Sequence, residues 1–334
     1  MIDLLTSKIE LKNKSSVKGV GDDCAVVKHG PKQTLVTTDL LVEGVHFDMM
    51  YMPLKHLGYK AAVVNISDIV AMNGTPTQLL VGMAISSRFS TEAIEEIYEG
   101  IKLACEQYEV DLVGGDTVSS VSGLFISVTA LGEAASRDIV YRHTAKKGDL
   151  VCVSGNLGGA YMGLLVLERE KQAFKVDPNM QPDLDGHDYI LARQLKPEAR
   201  LDIVQKLRES GVKPTSMIDI SDGLASEVLH ISHQSKLGCS VYEDKIPIDI
   251  TTDTMAKEFQ IDPTICALSG GEDYELLFTI SQDDYEKIKD LEDITVIGHM
   301  TAQSAGVNLV SRSGTQVAIT AQGWDAFLKR KKDK

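Results

Sequence analysis

The chain contains 334 residues, of which 43% are hydrophobic and 25% are charged. This length favours about two globular domains, and this composition excludes a disordered protein, a collagen-like repeat and a small disulfide-stabilised scaffold. The 34 basic residues are outnumbered by 48 acidic ones, for a net charge of -14, so we expect neither nucleic acid nor an anionic membrane as a partner, because both would be repelled.

The sequence also predicts a cytoplasmic protein. No run reaches the ~20 apolar residues that cross a bilayer. The first residues, MIDLLTSKIELKNKSS, lack the basic and then apolar pattern of a secretory signal. The cysteines are odd in number and show no C-x-x-C spacing, so we expect reduced thiols. They are Cys24, Cys105, Cys152, Cys239 and Cys266.

Strand-like and helix-like segments alternate along the chain, which predicts an α/β (α+β) architecture. The first part is expected to be a mixed sheet with helices that ends near residue 135. Its predicted elements are, in chain order, a strand at 34–41, a helix at 58–73, a strand at 79–85, a helix from the N-cap Ser90 to Tyr108, and strands at 111–116 and 123–133.

Residues 136–148 are polar and locally basic, so we predict a domain junction there. It separates an N-terminal domain at 1–135 from a C-terminal α/β domain at 149–334. Residues 170–190 are expected to be a surface excursion. The other elements predicted in the second domain are strands at 149–155, 217–221, 239–248, 273–280 and 294–300 and helices at 161–167, 201–210, 223–236 and 281–291.

The aspartates are the informative feature, because several belong to segments that look buried, whereas aspartate is normally exposed or a helix cap. Asp39 is expected to end one strand and Asp116 another. Asp68 is the sharpest case: apolar residues surround it in a predicted helix, so an unpaired carboxylate there would be unfavourable. The full set is Asp22, Asp23, Asp39, Asp68, Asp116, Asp219 and Asp222.

Each aspartate also has a purely structural explanation. Asp22 or Asp23 could cap a turn, and Asp219 and Asp222 could cap the following helix. Taken together they are harder to explain in this way, because two carboxylates ~4 Å apart repel by ~4 kcal/mol at an effective dielectric of ~20. Hard oxygen ligands select Mg²⁺, Mn²⁺ or Ca²⁺, and carboxylates with waters are the usual way in which Mg²⁺ meets substrate phosphates.

Other motifs in the sequence give only weak support for a different kind of nucleotide or metal site. The chain has neither the G-x-x-x-x-G-K-[ST] phosphate loop nor the protein-kinase motif set. The turn GNLGGA at 155–160 could present its amides to a phosphate, although a tight strand-to-helix turn explains it at least as well. His230 and His233 could form a helical metal pair, but no Cys or third His lies in register with them.

Several separate motifs together resemble the thiamine-monophosphate kinase family, which is part of the superfamily of aminoimidazole ribonucleotide synthetase. The resemblance extends from about residue 18 to the C-terminus. It rests on GVGDDCAV, VTTDLLVEGVHF, NISDIVAMNGTP, LVGGDT, ISDGL and SGGEDYELLF, in this order. It implies the two-domain fold of that superfamily, a homodimer, and transfer of the γ-phosphoryl group of ATP to thiamine phosphate.

The resemblance also implies roles for individual residues. The aspartates Asp39, Asp219 and Asp222 would be central to catalysis. The ATP contacts would be Tyr98, Gly115, Asp116, Arg142 and Ser221. The thiamine phosphate contacts would be His46, Glu272 and Trp324. The Mg²⁺ ligands, for several ions per site, would be Asp22, Thr37, Thr38, Asp39, Asp68, Asp116, Asp219 and Asp222.

Without the resemblance, plainer roles stay open for four of these residues. Arg142 could form a salt bridge at the domain junction, and Trp324 could fill the C-terminal core instead of stacking on a substrate ring. His46 could be a loop histidine, and Glu272 a turn residue rather than a partner of the thiazolium or amino group. Two other functions also stay open: another ATP-using enzyme of the superfamily, and a non-catalytic divalent-cation-binding protein.

Overall fold

A computed structural model of the protein describes residues 15–18, 21–28 and 30–320. Two sheets with flanking helices make up this part of the chain. The strands are β1 Ser16–Lys18, β2 Ala25–Lys28, β3 Lys32–Val42, β4 Thr75–Ile85, β5 Asp111–Ser119, β6 Leu124–Ala135, β7 Leu150–Ser154, β8 Ser216–Asp219, β9 Gly238–Tyr242, β10 Leu276–Ile280, β11 Ile294–Thr301, β12 Val307–Val310 and β13 Gln316–Ala318. The α-helices are α1 Leu54–Ala71, α2 Thr91–Tyr108, α3 Gly159–Val176, α4 Asp188–Leu195, α5 Leu201–Glu209, α6 Leu224–Ser235, α7 Ile250–Glu258, α8 Pro263–Ser269 and α9 Tyr285–Ile288.

The strand order is β1-β2-β3-β6-β4-β5 in the first sheet and β13-β12-β9-β11-β7-β10-β8 in the second. The pairs β4–β5 and β9–β12 are parallel, and the other neighbours are antiparallel. Helices follow strands in both parts of the chain. These observations confirm the predicted mixed α/β architecture.

Helix α1 lies at the centre of the molecule, where it packs against α2, the first sheet and β8. Two glycines allow its close crossing with α2. A Cβ atom on Gly58 would lie 1.8 Å from the carbonyl oxygen of Ile97, and one on Gly100 would lie 1.9 Å from that of Lys55. No other residue type fits at such a distance, so the crossing holds the polar side chains of α1 in fixed positions inside the protein.

A continuous apolar core joins the two parts of the chain. It extends from Leu35 on β3 through Ile66 on α1 to Ile203 on α5 and Phe278 on β10. A second apolar cluster packs α6 against the second sheet. All five cysteines are free and buried. None of the described helices is both long and apolar enough to pass through a bilayer.

The structure corrects the sequence prediction most clearly at 170–190. This segment contains the second half of α3 and the start of α4, not a continuous surface excursion. The hydrophobic period weakens after Leu167 because that half of α3 is mostly exposed, while its Glu, Lys, Gln and Arg residues have high intrinsic helix propensity. The sequence also missed α7, α8, β12 and β13.

Two aspartates lie inside strands instead of at strand ends. Asp39 is three residues before the end of β3, and Asp116 is three residues before the end of β5. The charged helix predicted at 281–291 is a 3-10 turn followed by the four-residue α9. These boundaries were wrong because polar residues inside a strand interrupt the hydrophobic pattern that marks it.

Candidate active site

Three aspartates from separate parts of the chain meet at one point. Asp23 lies in the turn before β2, Asp68 lies in α1, and Asp219 is the last residue of β8. One carboxylate oxygen of each lies within 4.8 Å of the other two, and the described residues contain no other such group of His, Cys, Asp or Glu. The structure therefore brings together Asp68 and Asp219, both predicted as metal ligands, and adds Asp23.

The three carboxyl groups are in an electrostatically unfavourable position. Burial, followed by the charges of Asp219 and Asp39, raises the pKa of Asp68 well above its ordinary range. Burial and the charge of Asp23 raise the pKa of Asp219 to about 8. Such a group takes up protons or cations readily, and a divalent cation held by oxygen ligands would offset the repulsion.

Hydroxyl groups hold two of these carboxylates in place. The Thr37 Oγ1 donates to Asp68 Oδ2 at 2.5 Å, and the Ser67 Oγ donates to Asp219 Oδ2 at 2.6 Å. Thr37 belongs to β3, so the first sheet orients Asp68 of α1. Ser67 belongs to α1, so this helix in turn orients Asp219, which the second sheet supplies. Thr37 was predicted as a metal ligand, and its buried hydroxyl reaches the site through Asp68.

Asp39 lies next to this group on the inner face of β3. Its backbone N–H donates to the Asn65 Oδ1 at 2.9 Å, which links β3 to α1. Burial raises the pKa of Asp39, and the charge of the nearby His46 opposes that rise. His46 is exposed, and its Nδ1 accepts a hydrogen bond from the Val42 N–H at 3.0 Å. Asp39, predicted as a metal ligand, and His46, predicted as a thiamine phosphate contact, are thus neighbours.

Arg142 pairs with the acidic turn before β2. Its Nε donates to Asp23 Oδ2 at 2.8 Å and its Nη2 to Asp23 Oδ1 at 2.6 Å, and its Nε is 3.9 Å from Asp22 Oδ1. Burial and the charge of Asp23 raise the pKa of Asp22 to about 6. The buried Asp22 Oδ2 accepts no hydrogen bond among the described residues and lies 3.7 Å from the Lys18 Nζ.

The loop between α8 and β10 carries Glu272 in an uncommon backbone conformation. Gly271, Glu272 and Tyr274 have φ values of 72°, 58° and 51°. Left-handed conformations are unfavourable for residues other than glycine and concentrate at functional sites. The Glu272 N–H donates to the Ser221 carbonyl oxygen at 2.7 Å, so this loop is tied to the turn that follows Asp219.

Side chains connect Glu272 to both parts of the chain. Lys60 of α1 lies 3.1 Å from Glu272 Oε2, and the Gln194 Nε2 donates to the same oxygen at 2.8 Å. Burial and then the charges of Glu272 and Asp39 raise the pKa of Tyr274 well above its ordinary range. The N–H groups of Glu272 and Tyr274 donate to the carbonyl oxygens of Ser221 and Ile220, the two residues that follow Asp219, so the loop of Glu272 lies beside the acidic group.

Some predicted site residues lie outside the acidic group. The Thr38 side chain points to the outer face of the first sheet, where it bonds Thr129 and the Val128 carbonyl oxygen. Asp116 is exposed on β5, and its Oδ1 accepts from the Thr117 N–H. Strand register puts Asp116 in one row with Gly82, Ser127 and Leu40, on the face opposite Asp39.

The remaining predicted residues have varied surroundings. Gly115 must be glycine, since a Cβ atom would lie 1.9 Å from the Val81 carbonyl oxygen. Tyr98 is partly buried and packs against the core. Asp222 is exposed, Ser221 beside it is partly buried, and both lie in the turn after β8. Trp324 lies outside the described residues.

The turn GNLGGA has a structural role. The N–H groups of Gly158 and Ala160 donate to the two carboxylate oxygens of Asp273, at 2.7 and 3.2 Å. Asp273 thus takes the place at the start of α3 that a phosphate would need, and the tight-turn interpretation holds. His230 and His233 form no metal group with a third ligand in the described part of the chain.

Sequence reasoning did not single out several residues of the site. Asp23 belongs to the set of informative aspartates, but the resemblance assigns a metal-binding role to Asp22 and none to Asp23. The strand alternation starts only at Ala25 and does not extend to the turn, so it does not distinguish the two. Ser67 and Lys60 are almost fully buried polar residues in α1. Burial of a polar residue in a helix that looks apolar was a usable signal for Ser67 and Lys60, as it was for Asp68.

Comparisons with known proteins agree with this architecture. Residues 21–134 match the family described as AIR synthase related protein, N-terminal domain. The chain is 34% identical to thiamine-monophosphate kinase of Bacillus subtilis over 92% of its length and 93% of the relative's. It is 33% identical to that of Aquifex aeolicus over 88% and 89%. A solved structure described as AaThiL complexed with AMPPCP and TMP covers 98% of the chain and 96% of its own, with a TM-score of 0.83 and 32% identity.

The two sheets and the aspartates that meet between them therefore define a protein of the AIR synthase-related class. The identity over nearly the whole length narrows this class to one family of enzymes. The chain belongs to the thiamine-monophosphate kinase family.

Proposed function

We propose that this protein transfers the γ-phosphoryl group of ATP to thiamine phosphate. A phosphate oxygen of thiamine phosphate forms the new bond to the γ-phosphorus, the bond from that phosphorus to the β–γ bridging oxygen breaks, and ADP leaves. The observation that carries the proposal is the meeting of Asp23, Asp68 and Asp219 beside the loop of Glu272, in a chain that belongs to this kinase family.

The chemistry needs no strong general base, because the attacking phosphate oxygen is already anionic. The main barrier is the repulsion between two polyanions, which an acidic site by itself would increase. The raised pKa values of Asp68 and Asp219 fit a divalent-cation site, as does the buried Asp22 Oδ2, which accepts no hydrogen bond among the described residues. Mg²⁺ bound there would neutralise phosphate oxygens and align them for in-line transfer.

The residues that we propose to hold Mg²⁺, for several ions, are Asp22, Thr37, Thr38, Asp39, Asp68, Asp116, Asp219 and Asp222, to which we add Asp23. Thr38 and Asp116 lie on the outer face of the first sheet, so they would contact a different ion from the one held by Asp23, Asp68 and Asp219. We propose that Tyr98, Gly115, Asp116, Arg142 and Ser221 contact ATP and that His46, Glu272 and Trp324 contact thiamine phosphate. Asp39, Asp219 and Asp222 remain the proposed catalytic set. Arg142 lies near Asp22, which supports an ATP contact beside a metal ligand. His46 lies near Asp39, which supports a thiamine phosphate contact beside another metal ligand.

Arg142 carries its charge at any physiological pH, and its planar guanidinium group suits a phosphate. Asp23 now takes two of its donors. We infer that Arg142 exchanges part of this ion pair for a phosphate of ATP when the nucleotide and its cations bind, since the cations then neutralise Asp23.

We also propose a cytoplasmic homodimer with domains at 1–135 and 149–334. The dimer is supported by the outer face of the first sheet, which exposes Leu40 at 52% and Val118 at 53%, with Leu80 in the same face; an apolar face of this kind is typical of an interface. The domain division is supported by the confinement of each sheet to one part of the chain. The free thiols support a reducing compartment.

The activity is tested by incubating the purified protein with ATP, Mg²⁺ and thiamine phosphate and separating the products by ion-exchange chromatography. We expect thiamine diphosphate and ADP in equal amounts, and neither product when the divalent cation is chelated. Turnover only with an aminoimidazole substrate would assign the chain another reaction of the class. Cation binding without consumption of ATP would leave a non-catalytic protein.

A further inference from the structure

Lys60 is a buried cation to which neither the sequence nor the proposed chemistry assigns a role. It lies in α1, and its side chain is 1% exposed. Its Nζ donates to the Gln194 carbonyl oxygen at 3.0 Å and to Glu272 Oε2 at 3.1 Å. A buried ammonium group is strongly unfavourable unless it is paired, and Glu272 is the carboxylate that pairs with Lys60 among the described residues.

Gln194 supports the same arrangement from the other side. Its Nε2 donates to Glu272 Oε2 at 2.8 Å, so two donors converge on one carboxylate oxygen. Among the described residues, no hydrogen bond involves Glu272 Oε1, while the side chain of Glu272 is 28% exposed. The two donors therefore fix the orientation of the carboxylate and leave its second oxygen accessible as an acceptor.

The backbone also holds Glu272 in place. The N–H groups of Glu272 and Tyr274 donate to the carbonyl oxygens of Ser221 and Ile220 at 2.7 and 2.9 Å. Lys60 and Asp68 are eight residues apart on α1, or about 12 Å along the helix axis. One extended substrate can therefore place its phosphate near the acidic group and its far end at Glu272.

The charge around Glu272 indicates which group of the substrate binds its carboxylate. Since Lys60 already neutralises Glu272, the pair presents a hydrogen-bond acceptor with no net negative charge. A cationic ring would meet the charge of Lys60 as well as that of Glu272, whereas a neutral N–H donor gains a charge-assisted hydrogen bond. The geometry thus favours the exocyclic amino group of the pyrimidine over the thiazolium ring.

We propose that Lys60 and Gln194 are positioning residues that direct Glu272 Oε1 at the amino group of thiamine phosphate and so set selectivity for an amino-bearing pyrimidine. This inference rests on the proposed function. It goes beyond that function in naming the group that Glu272 recognises and the two residues that orient it.

The test measures kcat and KM for thiamine phosphate, for its analogue with an oxo group in place of the amino group, and for ATP. The wild type should prefer thiamine phosphate. Lys60→Met and Gln194→Leu should each raise the KM for thiamine phosphate about tenfold, reduce this preference and leave the KM for ATP within about twofold. The control is Lys55→Met, an exposed lysine on the same helix, which should change none of these values.

A double-mutant cycle separates positioning from a general structural effect. If Lys60 acts through Glu272, Lys60→Met should have little further effect on KM in a Glu272→Gln background. Lys60→Arg should restore part of the selectivity. Gln194→Leu tests the proposal even if Lys60→Met fails to fold, because the Gln194 Oε1 is already without a partner among the described residues.

Several outcomes would overturn the inference. They are equal increases in the KM for ATP and for thiamine phosphate, unchanged selectivity in folded variants, and additive effects in the cycle. Lack of turnover by the wild type would instead refute the proposed function, so the two failures are distinguishable.

Discussion

At the scale of single residues, the main feature of this protein is a set of carboxylates whose repulsion the fold tolerates. Asp68 and Asp219 are oriented by Thr37 and Ser67, and burial raises the pKa of both. Uncompensated burial of this kind lowers stability. Residues retained in such a position are therefore best explained by what they bind.

We expect Asp219→Asn to lose phosphoryl transfer while keeping the fold. Loss of a cation ligand should lower kcat by at least about 100-fold. Asparagine cannot ionise, so the variant avoids the unfavourable ionisation of the buried carboxyl group, and its melting temperature without Mg²⁺ at pH 8.5 should be equal to or higher than that of the wild type. Steady-state kinetics and thermal melts check both expectations. Asp283→Asn, at an exposed position, is the matched control. Normal turnover by the Asp219→Asn variant would refute the role of Asp219 as a cation ligand.

The raised pKa values also predict how stability depends on pH when Mg²⁺ is chelated. The folded-state pKa is about 6 for Asp22 and about 8 for Asp219, against 3.8 for both in the unfolded chain. Between these pKa values, the native state binds more protons than the unfolded chain. The stabilisation that protonated Asp22 and Asp219 contribute is therefore complete below about pH 4 and is lost as the pH rises through 6 to 8.

Thermal melts between pH 5.5 and 8.5 check this sign. The melting temperature in chelator should fall with pH, Mg²⁺ should reduce the fall, and Asp219→Asn should show a smaller slope than the wild type. A wild-type slope equal to that of the variant would contradict the prediction.

Part of the site could be predicted from single residues. Asp68 stood out because a carboxylate inside an apolar helix needs a reason, and Asp219 because it ends a short strand. The choice between Asp22 and Asp23 could not be made, since both precede the strand and no periodicity covers them. The partnership of Lys60 with Glu272 joins residues 212 positions apart, and no local pattern contains it.

At the scale of elements, α1 determines the geometry of the site. It supplies Lys60, Asn65, Ser67 and Asp68 from one buried helix. The sequence predicted this helix well because its apolar run ends at Gly74 and Pro76. It predicted α3 poorly because the exposed half of that helix has no hydrophobic face to detect.

The close crossing of α1 and α2 predicts a large effect of a single methyl group. We expect Gly100→Ala to destabilise the protein by about 2–3 kcal/mol, because the new Cβ atom would lie 1.9 Å from the Lys55 carbonyl oxygen. Gly30→Ala, where a Cβ atom meets nothing within 4 Å, should change stability by less than about 0.5 kcal/mol. Urea unfolding measures both, and equal values for the two variants would show that the crossing can relax.

At the scale of the whole molecule, α1 covers the inner face of the first sheet, whereas the outer face of this sheet exposes apolar side chains. This asymmetry predicts the homodimer. We expect Leu40→Lys to convert a dimer into a monomer, measured by size-exclusion chromatography with light scattering. Val317→Lys, at an equally exposed apolar position on β13, is the control. A wild-type monomer, or a dimer that survives Leu40→Lys, would contradict the proposed interface.

The buried cysteines can report local unfolding, because a buried thiol reacts with an alkylating reagent only after it becomes exposed. Burial raises the pKa of Cys24 well above its ordinary range and that of Cys239 to about 12, so these thiols stay protonated and shielded from alkylating reagents while the chain is closed. Cys24 and Cys105 label the region of the first sheet, and Cys152, Cys239 and Cys266 label that of the second. The order in which mass spectrometry finds them alkylated would show which region unfolds first, without any engineered probe.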